Sequence, residues 1–302
     1  MKKAVIILGP TATGKTKLAL KLTEKFPFEI ISADSMQFYK EMDIGTDKVP
    51  AIFREKVLHH LIDIITIEEE FSIAEFKKLA IQKINEIVNR GRIPLIVGGS
   101  GLYIRTLTEN FPVDEFAPPD KELRNKLENT PVGELRKIAE KIDSEAVSKI
   151  GKSDRKRLIR VIEFFEKSGK RISEVENMPP EFEFLKIGLI KERAVLYRDI
   201  ENRIEEMFEQ GFIEEVRHLR EKYPHWSKTA LQAIGYKEVS DFLEGKITLS
   251  EAKEKMKLRT RHLAKRQITW FKKEKNVIWI NSEDFENALK SAERLVSEFL
   301  RR

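Results

Sequence analysis

Short apolar runs alternate with segments of helical period over the first 110 residues and again after residue 184. The runs cover residues 4–8, 29–33, 58–65, 93–97, 185–190 and 277–280, and their length and branched side chains predict buried strands. Between two of these runs, Ser72 can cap a helix whose apolar residues recur every three or four positions until Gly91. Strands that alternate with helices predict a parallel sheet covered by helices.

That alternation is interrupted between residues 112 and 180. Pro112, Pro118 and Pro119 exclude a helix at the start of this segment, and residues 120–168 then show helical period alone. We therefore expect an α/β core formed by residues 1–111 and 181–302 with an all-helical insertion at 112–180. The core is expected to end in a basic helical region that closes with an amphipathic helix over residues 285–300.

Composition narrows the class of protein. No run of 18 apolar residues and no signal peptide is present, so we expect a cytoplasmic protein without a membrane span. The absence of cysteine excludes disulfides, thiolate metal sites and cysteine nucleophiles. The net charge is +6, but residues 253–275 hold ten Lys or Arg and only two Glu, so the remaining residues sum to −2. Such an excess is typical of a protein that binds a polyanion or of a solvated helix face, and charge alone does not choose between them.

The first apolar run leads directly into a phosphate-binding pattern. Residues 9–16, GPTATGKT, match G-x-x-x-x-G-K-[ST] between a predicted strand and a predicted helix, which is the context that the pattern requires. The loop's backbone N–H groups and the helix N-terminus can converge on phosphate oxygens. Lys15 can reach the terminal phosphate, and Thr16 can ligate Mg²⁺. The predicted phosphate-binding residues are Gly9, Pro10, Thr11, Ala12, Thr13, Gly14, Lys15 and Thr16.

Two further polar residues follow predicted strands. An ordinary NTPase would present an acidic residue at the end of a neighbouring strand, but the run at 93–97 leads into a glycine-rich turn that contains Ser100. Asp34 follows the run at 29–33 instead. Because ligands bind at the carboxyl ends of parallel strands, both side chains are expected to face the phosphate loop. Asp34 can be a metal ligand, a base for an incoming nucleophile or a turn residue, and its position alone leaves these open.

His59 and His60 suggest a metal site at first sight. Adjacent residues on a strand point to opposite faces, and no third ligand lies near them in the sequence. Structural hydrogen bonding is the favoured interpretation. Trp270 and Phe271 are likewise predicted to lie in the core rather than to stack on nucleobases.

Eight stretches, taken together and in order, resemble the tRNA dimethylallyltransferases, also called tRNA isopentenyltransferases. The resemblance extends from residue 4 to about residue 280. The eight stretches are GPTATGKT (9–16), SADSMQFY (32–39), MDIGTDKVP (42–50), HHLID (59–63), VGGSGLY (97–103), SDRKRLIRVIE (153–163), QAIGYKE (232–238) and TRHLAKRQITWFKK (260–273).

The resemblance implies a P-loop NTPase-like fold and a prenyl transfer. The phosphate loop would hold the diphosphate of dimethylallyl diphosphate with Mg²⁺, and the prenyl group would move to N6 of adenosine 37 of tRNA. Asp34 would be the general base that accepts the N6 proton, with Lys15 and Ser100 as further catalytic residues. Ser100 stands where the family usually has Thr. Arg193 and Arg203 would join the diphosphate site.

The same resemblance implies three groups of tRNA-binding residues and an anticodon stem-loop as partner of a monomeric enzyme. Adenine 37 would leave its stack to reach a buried site. The flipped base would meet Asp34, Ser35, Met36, Gln37 and Ser100. The insertion would contribute Arg124, Lys156, Arg157, Leu158, Ile159 and Arg160, and the basic C-terminal segment would contribute Arg261, Lys265 and Arg266.

The sequence departs from the family pattern in three places. Asp199 stands where an arginine is usual, Arg155 replaces a usual proline, and the zinc finger of eukaryotic relatives is absent. Three alternatives stay open at this stage: a small-molecule kinase with the same phosphate loop, an RNA-binding GTPase or ATPase module, and an adenylate isopentenyltransferase. The sequence lacks the Asn-Lys-x-Asp signature by which a GTPase recognises guanine. Against an adenylate isopentenyltransferase, the basic segment favours a polynucleotide acceptor over a free nucleotide.

Overall fold

The computed structural model describes residues 1–110, 120–176 and 178–302, apart from the Lys121 side chain. In this part of the chain one sheet of six parallel strands has the order β3-β2-β4-β1-β5-β6. The strands are β1 (Lys2–Leu8), β2 (Phe28–Ser32), β3 (His59–His60), β4 (Ile93–Gly98), β5 (Phe182–Ile190) and β6 (Val277–Asn281).

Helices make up most of the rest of the described chain, and some of them cover both faces of this sheet. Within the described residues they are α1 (Lys15–Thr23), α2 (Ala51–Arg54), α3 (Ile73–Asn89), α4 (Gly101–Thr108), α5 (Lys121–Glu128), α6 (Val132–Ile142), α7 (Ser144–Ser148), α8 (Arg155–Ser168), α9 (Arg193–Glu209), α10 (Phe212–Lys222), α11 (Tyr236–Leu243), α12 (Leu249–Phe271) and α13 (Phe285–Arg301), with short 3₁₀ turns at Ile172–Glu174 and Ala230–Gln232.

The strands alternate between two apolar cores, as the two-residue period of a strand requires. Val5 and Ile7 of β1 pack with residues of α1 and α13, whereas Ile6 and Leu8 pack with residues of α3, α4 and α9–α12. Every residue from Ala4 to Leu8 is fully buried. A strand buried on both sides reads as a continuous apolar run, which is why β1 is visible in the sequence.

Local signals placed the ends of α3 correctly. The Ser72 hydroxyl accepts the Glu75 N–H at 3.2 Å, and the Glu75 carboxylate accepts the Ser72 N–H at 2.7 Å. Gly91, just beyond the helix, has the positive φ of 72° that favours glycine. The amphipathic helix expected at 285–300 is α13.

The strand predicted over residues 58–65 is wrong in its extent, because only His59–His60 pair with β2. Leu61 and Asp63 have φ values of 58° and 56°, outside the extended region that a strand needs. The chain therefore leaves the sheet after two residues, although its apolar composition is that of a strand.

The chain divides into two compact units, residues 1–108 with 181–302 and residues 109–180. The second unit is helical and has its own apolar core, formed mainly by α5, α6, α7 and α8. The proline-rich start of the expected insertion, residues 112–119, lies outside the described residues.

Candidate active site

The phosphate loop follows β1 and has the backbone geometry that its pattern predicts. Gly9 has φ of 144°, and a Cβ there would lie 2.5 Å from the Leu189 carbonyl oxygen of β5. Ala12 and Gly14 also have positive φ, 62° and 85°, so the chain curls tightly before α1 begins at Lys15. Such successive turns direct backbone N–H groups to one side, where they can bind an anion.

Lys15 points back along this loop. Its Nζ donates to the Pro10 carbonyl oxygen at 2.7 Å. Burial lowers the pKa of Lys15 to about 8, although the nearby Asp34 carboxylate acts in the opposite direction. A half-buried ammonium group whose pKa is lowered in this way favours the arrival of an anion.

Asp34 lies two residues beyond the end of β2. Its Oδ1 accepts the Met36 N–H at 3.0 Å. Burial raises the pKa of the Asp34 carboxyl, while this hydrogen bond and the positive charges of Lys15 and Arg203 restrain the rise. A carboxylate with a raised pKa is a better proton acceptor than an exposed one, which suits a general base.

Ser100 is brought to Asp34 by the pairing of β2 with β4. The Ser100 Oγ accepts the Ser35 N–H at 3.4 Å, and the Ser100 N–H donates to the Ala33 carbonyl oxygen at 3.3 Å. The two loops that follow neighbouring strands are thus joined at the point where the sequence predicted a site.

Arg203 of α9 reaches the phosphate loop from the second half of the core. Its Nη2 donates to the Thr11 Oγ1 at 2.7 Å, and its Nη1 pairs with the Asp47 carboxylate at 2.8 Å. The predicted neighbourhood of Arg203 and the loop is therefore present in the fold.

Gln37 connects the Asp34 loop with residues 46–47. Its Oε1 accepts a hydrogen bond from the Ser32 Oγ at 2.9 Å. Its Nε2 donates to the carbonyl oxygens of Thr46 and Asp47 at 3.4 and 3.3 Å. The Gln37 Nε2 is thus engaged within the protein, whereas one lone pair of Oε1 remains as an acceptor for a base edge.

One cavity of about 780 Å³ in the first unit is lined by the residues that make these contacts: Thr11, Lys15, Ser32, Asp34, Ser35, Met36, Gln37, Thr46, Asp47, Ser100 and Arg203. Arg266 and His262 of α12 lie at its polar side. Apolar side chains of α9, α12 and the turn before α11 form another part of its wall: Ile204, Met207, Ala233, Ile234, Met256, Leu263 and Trp270. The cavity thus joins three residues of the phosphate loop, the half-buried Asp34 carboxylate and an apolar surface.

The model of the IPP transferase family matches residues 37–274. The tRNA dimethylallyltransferase of Carboxydothermus hydrogenoformans is 44% identical over 305 residues, covering 98% of this chain and 97% of the relative. That of Acetivibrio thermocellus is 43% identical over 297 residues, covering 95% and 94%. The chain belongs to the IPP transferase family.

Solved structures agree with this membership of the IPP transferase family. The tRNA isopentenylpyrophosphate transferase of Bacillus halodurans superposes with a TM-score of 0.75 at 37% identity, over 100% of this chain and 97% of the other. A eukaryotic dimethylallyltransferase acting on tRNA gives a TM-score of 0.87 at 29% identity, over 100% and 80%. The expected family, its P-loop NTPase-like fold and its class of activity, prenyl transfer in tRNA modification, are confirmed.

Some arginines and lysines predicted from the IPP transferase resemblance do not line the cavity. Arg193 is exposed and lies over the Tyr197 ring, 5.1 Å from its centroid. Arg261 pairs with Glu201 at 3.3 Å, and Lys265 is exposed. The departure at Asp199 has a local partner, since the Lys191 Nζ donates to its carboxylate at 2.6 Å.

In the insertion, the predicted tRNA-binding residues divide into core and surface. Leu158 and Ile159 are buried in the apolar core of this unit, which leaves their side chains no surface for RNA. Arg124 forms two hydrogen bonds to the fully buried Glu163, at 2.9 and 2.8 Å, and Arg160 donates to the same carboxylate at 2.6 Å. Their first role is therefore structural.

Arg157 differs from these two arginines. Its side chain is 63% exposed and its ion pair with Asp154 is 3.4 Å long. Lys156 is exposed as well. Arg155, at the position of the usual proline, donates to the carbonyl oxygens of Leu127, Glu128 and Thr130 that end α5, so it has a structural use of its own.

The two adjacent histidines have separate partners. The His60 Nε2 lies 2.8 Å from the buried Glu29 carboxylate, and the His59 Nδ1 donates to the Val57 carbonyl oxygen at 2.7 Å. Burial lowers the pKa of His59, whose ring lines the cavity. No group of three His, Asp or Glu side chains able to hold a metal occurs in the part of the chain that the structure describes.

Sequence reasoning missed the role of Glu215 in α10. Its carboxylate accepts the N–H groups of Asp43, Ile44 and Gly45 at 3.0, 2.6 and 3.2 Å, and the Tyr236 hydroxyl at 2.7 Å. It thereby joins the two motifs at 42–50 and 232–238. A carboxylate among many on a polar helix face carries no signal in a single sequence.

None of the helices in residues 1–110, 120–176 and 178–302 has the length and apolar character that a membrane span needs.

Proposed function

We propose that this IPP transferase transfers the dimethylallyl group from dimethylallyl diphosphate to N6 of adenosine 37 in tRNA and releases diphosphate. The observation that carries the proposal is that the half-buried Asp34 carboxylate and the phosphate-loop residues Thr11, Lys15 and Thr16 line one cavity that also has an apolar wall. The relatives are named tRNA dimethylallyltransferases, and the eukaryotic structure is of one acting on tRNA.

The diphosphate would lie against the loop of residues 9–16. The departure of diphosphate builds negative charge, which fixed donors stabilise best when they are preorganised in a site with little water. Lys15 supplies a half-buried charge, and Arg203 supplies a guanidinium group already held at Thr11. Arg193 is exposed outside the cavity lining and is not assigned to this step.

The residues present fit a Mg²⁺ ion that arrives with the diphosphate. Thr16 lines the cavity at the end of the loop, and the carboxylates of Asp34 and Asp47 line the same cavity. Mg²⁺ is commonly held by one or two protein oxygens, substrate phosphates and water, so a cluster of three protein carboxylates is not required. Thr16 would hold the ion, and the ion would neutralise charge on the leaving group.

Asp34 would accept the proton that N6 loses. As the bond from N6 to the dimethylallyl carbon forms, the bond from that carbon to the diphosphate oxygen breaks, and the N6 proton moves to the Asp34 carboxylate. The exocyclic amine is a poor nucleophile because its lone pair is delocalised into the ring. A positioned base typically accelerates such a step by about 10²–10⁴-fold. Ser100 would keep the Asp34 loop in place through its bond with Ser35.

The tRNA would be bound as an anticodon stem-loop by a monomeric enzyme. Residues 34–37 and Ser100 would surround the extruded adenine, because they line the cavity beside Asp34. Lys156, Arg157, Lys265 and Arg266 are exposed cations and suit contacts with RNA phosphates. Such contacts position the substrate rather than identify its bases.

A direct assay distinguishes this activity from a kinase that uses the same loop. The protein is incubated with an unmodified anticodon stem-loop, Mg²⁺ and dimethylallyl diphosphate labelled in the prenyl group, and in parallel with γ-labelled ATP and a panel of metabolites. We expect prenyl label in the RNA and none when guanosine replaces adenosine 37. Transfer of label from ATP, with none from the prenyl donor, would overturn the proposal.

A further inference from the structure

The side chain of Gln267 in α12 connects two loops at the edge of the sheet. Its Oε1 accepts the Thr11 N–H of the phosphate loop at 2.9 Å. Its Nε2 donates to the Gly99 carbonyl oxygen, in the turn after β4, at 3.1 Å. One primary amide therefore uses its acceptor on the first loop and a donor on the second, which neither a carboxylate nor an ammonium group can do.

The turn after β4 is shaped to admit α12 at this point. A Cβ on Gly99 would lie 2.4 Å from the Gln267 Nε2, and a Cβ on Gly101 would lie 2.1 Å from the Trp270 Cδ1. Gln267 and Trp270 are three positions apart, so they lie on the same face of the helix. Two glycines thus lie where two side chains of α12 pack, and the contact is specific in shape as well as in hydrogen bonding.

We propose that Gln267 is a positioning residue that holds the phosphate loop at a fixed distance from the Ser100 turn before substrate binds. This inference rests on the proposed prenyl transfer. Thr11 also accepts a hydrogen bond from Arg203, and Ser100, next to Gly99, accepts the N–H of Ser35 beside the proposed base. Gln267 is therefore the link between the groups that hold the leaving diphosphate and the loop that carries Asp34.

Loss of the Gln267 amide is expected to disturb the alignment of the reacting atoms more than the affinity for diphosphate. The transfer needs the departing oxygen, the prenyl carbon and N6 to lie in line, and an error of about 1 Å in such an arrangement can cost about 10²-fold in rate. Loss of the amide frees the two loops to move independently. The N–H groups and charges that bind diphosphate remain, so the affinity for diphosphate changes little while kcat falls.

The test compares Gln267→Met, which keeps the length of the side chain, with Gln267→Glu, which keeps an acceptor for Thr11 and loses the donor to Gly99. Gln210→Met, at an exposed position after α9, is the matched control. We expect kcat for both Gln267 variants to fall at least about tenfold, with the dissociation constant of inorganic diphosphate within about threefold of the parent. Inorganic diphosphate is titrated calorimetrically, so this measurement does not depend on catalysis.

A double-mutant cycle separates positioning from general destabilisation. Gly99→Ala should force the Gln267 amide away and reproduce the loss in kcat, and Gln267→Ala should lower kcat by itself. The two substitutions combined should be no worse than the more affected single variant. Three results would each overturn the inference: a kcat for Gln267→Met that falls less than about tenfold, strictly additive effects in the cycle, or a dissociation constant for diphosphate that changes more than about threefold in either direction. If the parent itself transfers no prenyl group, the proposed function fails first, which is a different result.

Discussion

Arg203 donates a hydrogen bond of 2.7 Å to the Thr11 hydroxyl while its other terminal nitrogen pairs with Asp47. The guanidinium is thus held at the phosphate loop by groups on both sides. We expect Arg203→Met to weaken the binding of inorganic diphosphate by about ten- to a hundredfold, because a charge-assisted donor is lost. Arg203→Lys should rescue only part of this loss, since an ammonium group lacks the planar fork. Titration calorimetry measures the affinity for diphosphate. Arg198→Met, on the exposed side of α9, is the control. Equal affinities for parent and Arg203→Met would contradict the assignment.

Asp34→Asn tests the proposed base. The amide is similar in shape and cannot accept the N6 proton, so we expect kcat to fall by at least about 10²-fold while tRNA affinity stays within a few-fold. Burial raises the pKa of Asp34 above its ordinary value. The parent's kcat should therefore decline on acidification at a pH above the usual range for aspartate, and the residual activity of the variant should lack that decline. Unchanged turnover in the variant would exclude Asp34 as the base.

Lys15 should make diphosphate binding depend on pH. Burial lowers its pKa to about 8, so the free protein loses this charge as the pH rises through 8. Bound diphosphate favours the ammonium form, and binding at pH 8 should take up about half a proton at this residue. Calorimetry in buffers with different ionisation enthalpies measures the uptake. Lys15→Arg is the matched control, because arginine stays protonated and should show none of it. Identical proton uptake in both proteins would show that Lys15 is charged already.

Arg157 is expected to contact an RNA phosphate, whereas Arg160 is held by Glu163. Arg157→Gln should lower the slope of log Kd against log salt for tRNA by about one unit. Arg294→Gln removes the same charge from an exposed position on α13 and should leave the slope unchanged. Filter binding at several salt concentrations measures both. An unaltered slope in Arg157→Gln would mean that this side chain does not meet a phosphate.

Glu163 is expected to matter for stability rather than for chemistry. Burial alone would raise its pKa, but hydrogen bonds from Arg124, Arg160 and the Asp120 N–H bring the pKa below the ordinary glutamate value of 4.5. A depressed pKa stabilises the fold above that value, and the stabilisation is lost as the pH falls below it. Glu163→Gln should cost about 2–3 kcal/mol in the insertion at neutral pH.

Hydrogen exchange of the α8 amides in the full chain measures this cost locally. The control is Glu166→Gln, at an exposed position of the same helix, which should leave the protection of these amides unchanged. Equal protection in the two variants would show that the buried pair contributes nothing to the insertion.

The sequence allowed five of the six strands in the described residues to be predicted, because each has a long enough apolar run between clear breaks. It could not give the order of the strands. β4 lies between β1 and β2, and this follows from packing of distant segments rather than from any local signal. The extent of the short β3 was predicted wrongly for a different reason. Leu61 and Asp63 have positive φ values that such residues rarely adopt, so the sequence does not mark where the strand ends.

The candidate site, like the fold, could be predicted from the sequence only in part. The phosphate loop is a local motif, and Asp34 and Ser100 could be placed from the rule that parallel strands end at one edge. Thr11 and Gln267 are 256 positions apart, and no local pattern in either segment predicts their contact. The arginines of α8 are visible in the sequence as charges. The sequence does not show, however, that the buried Glu163 carboxylate is the partner of Arg160.

The position of β1 between β4 and β5 has a consequence for synthesis of the chain. The loop at its end leaves the ribosome before the strands that flank β1, which are made some 90 and 180 residues later. Until β5 emerges, Gly9 has no backbone to lie against, and one side of the nascent strand is an open edge. In a growing polypeptide the phosphate loop therefore acquires its backbone support late, and until then the open edge of β1 can pair with other unfinished chains.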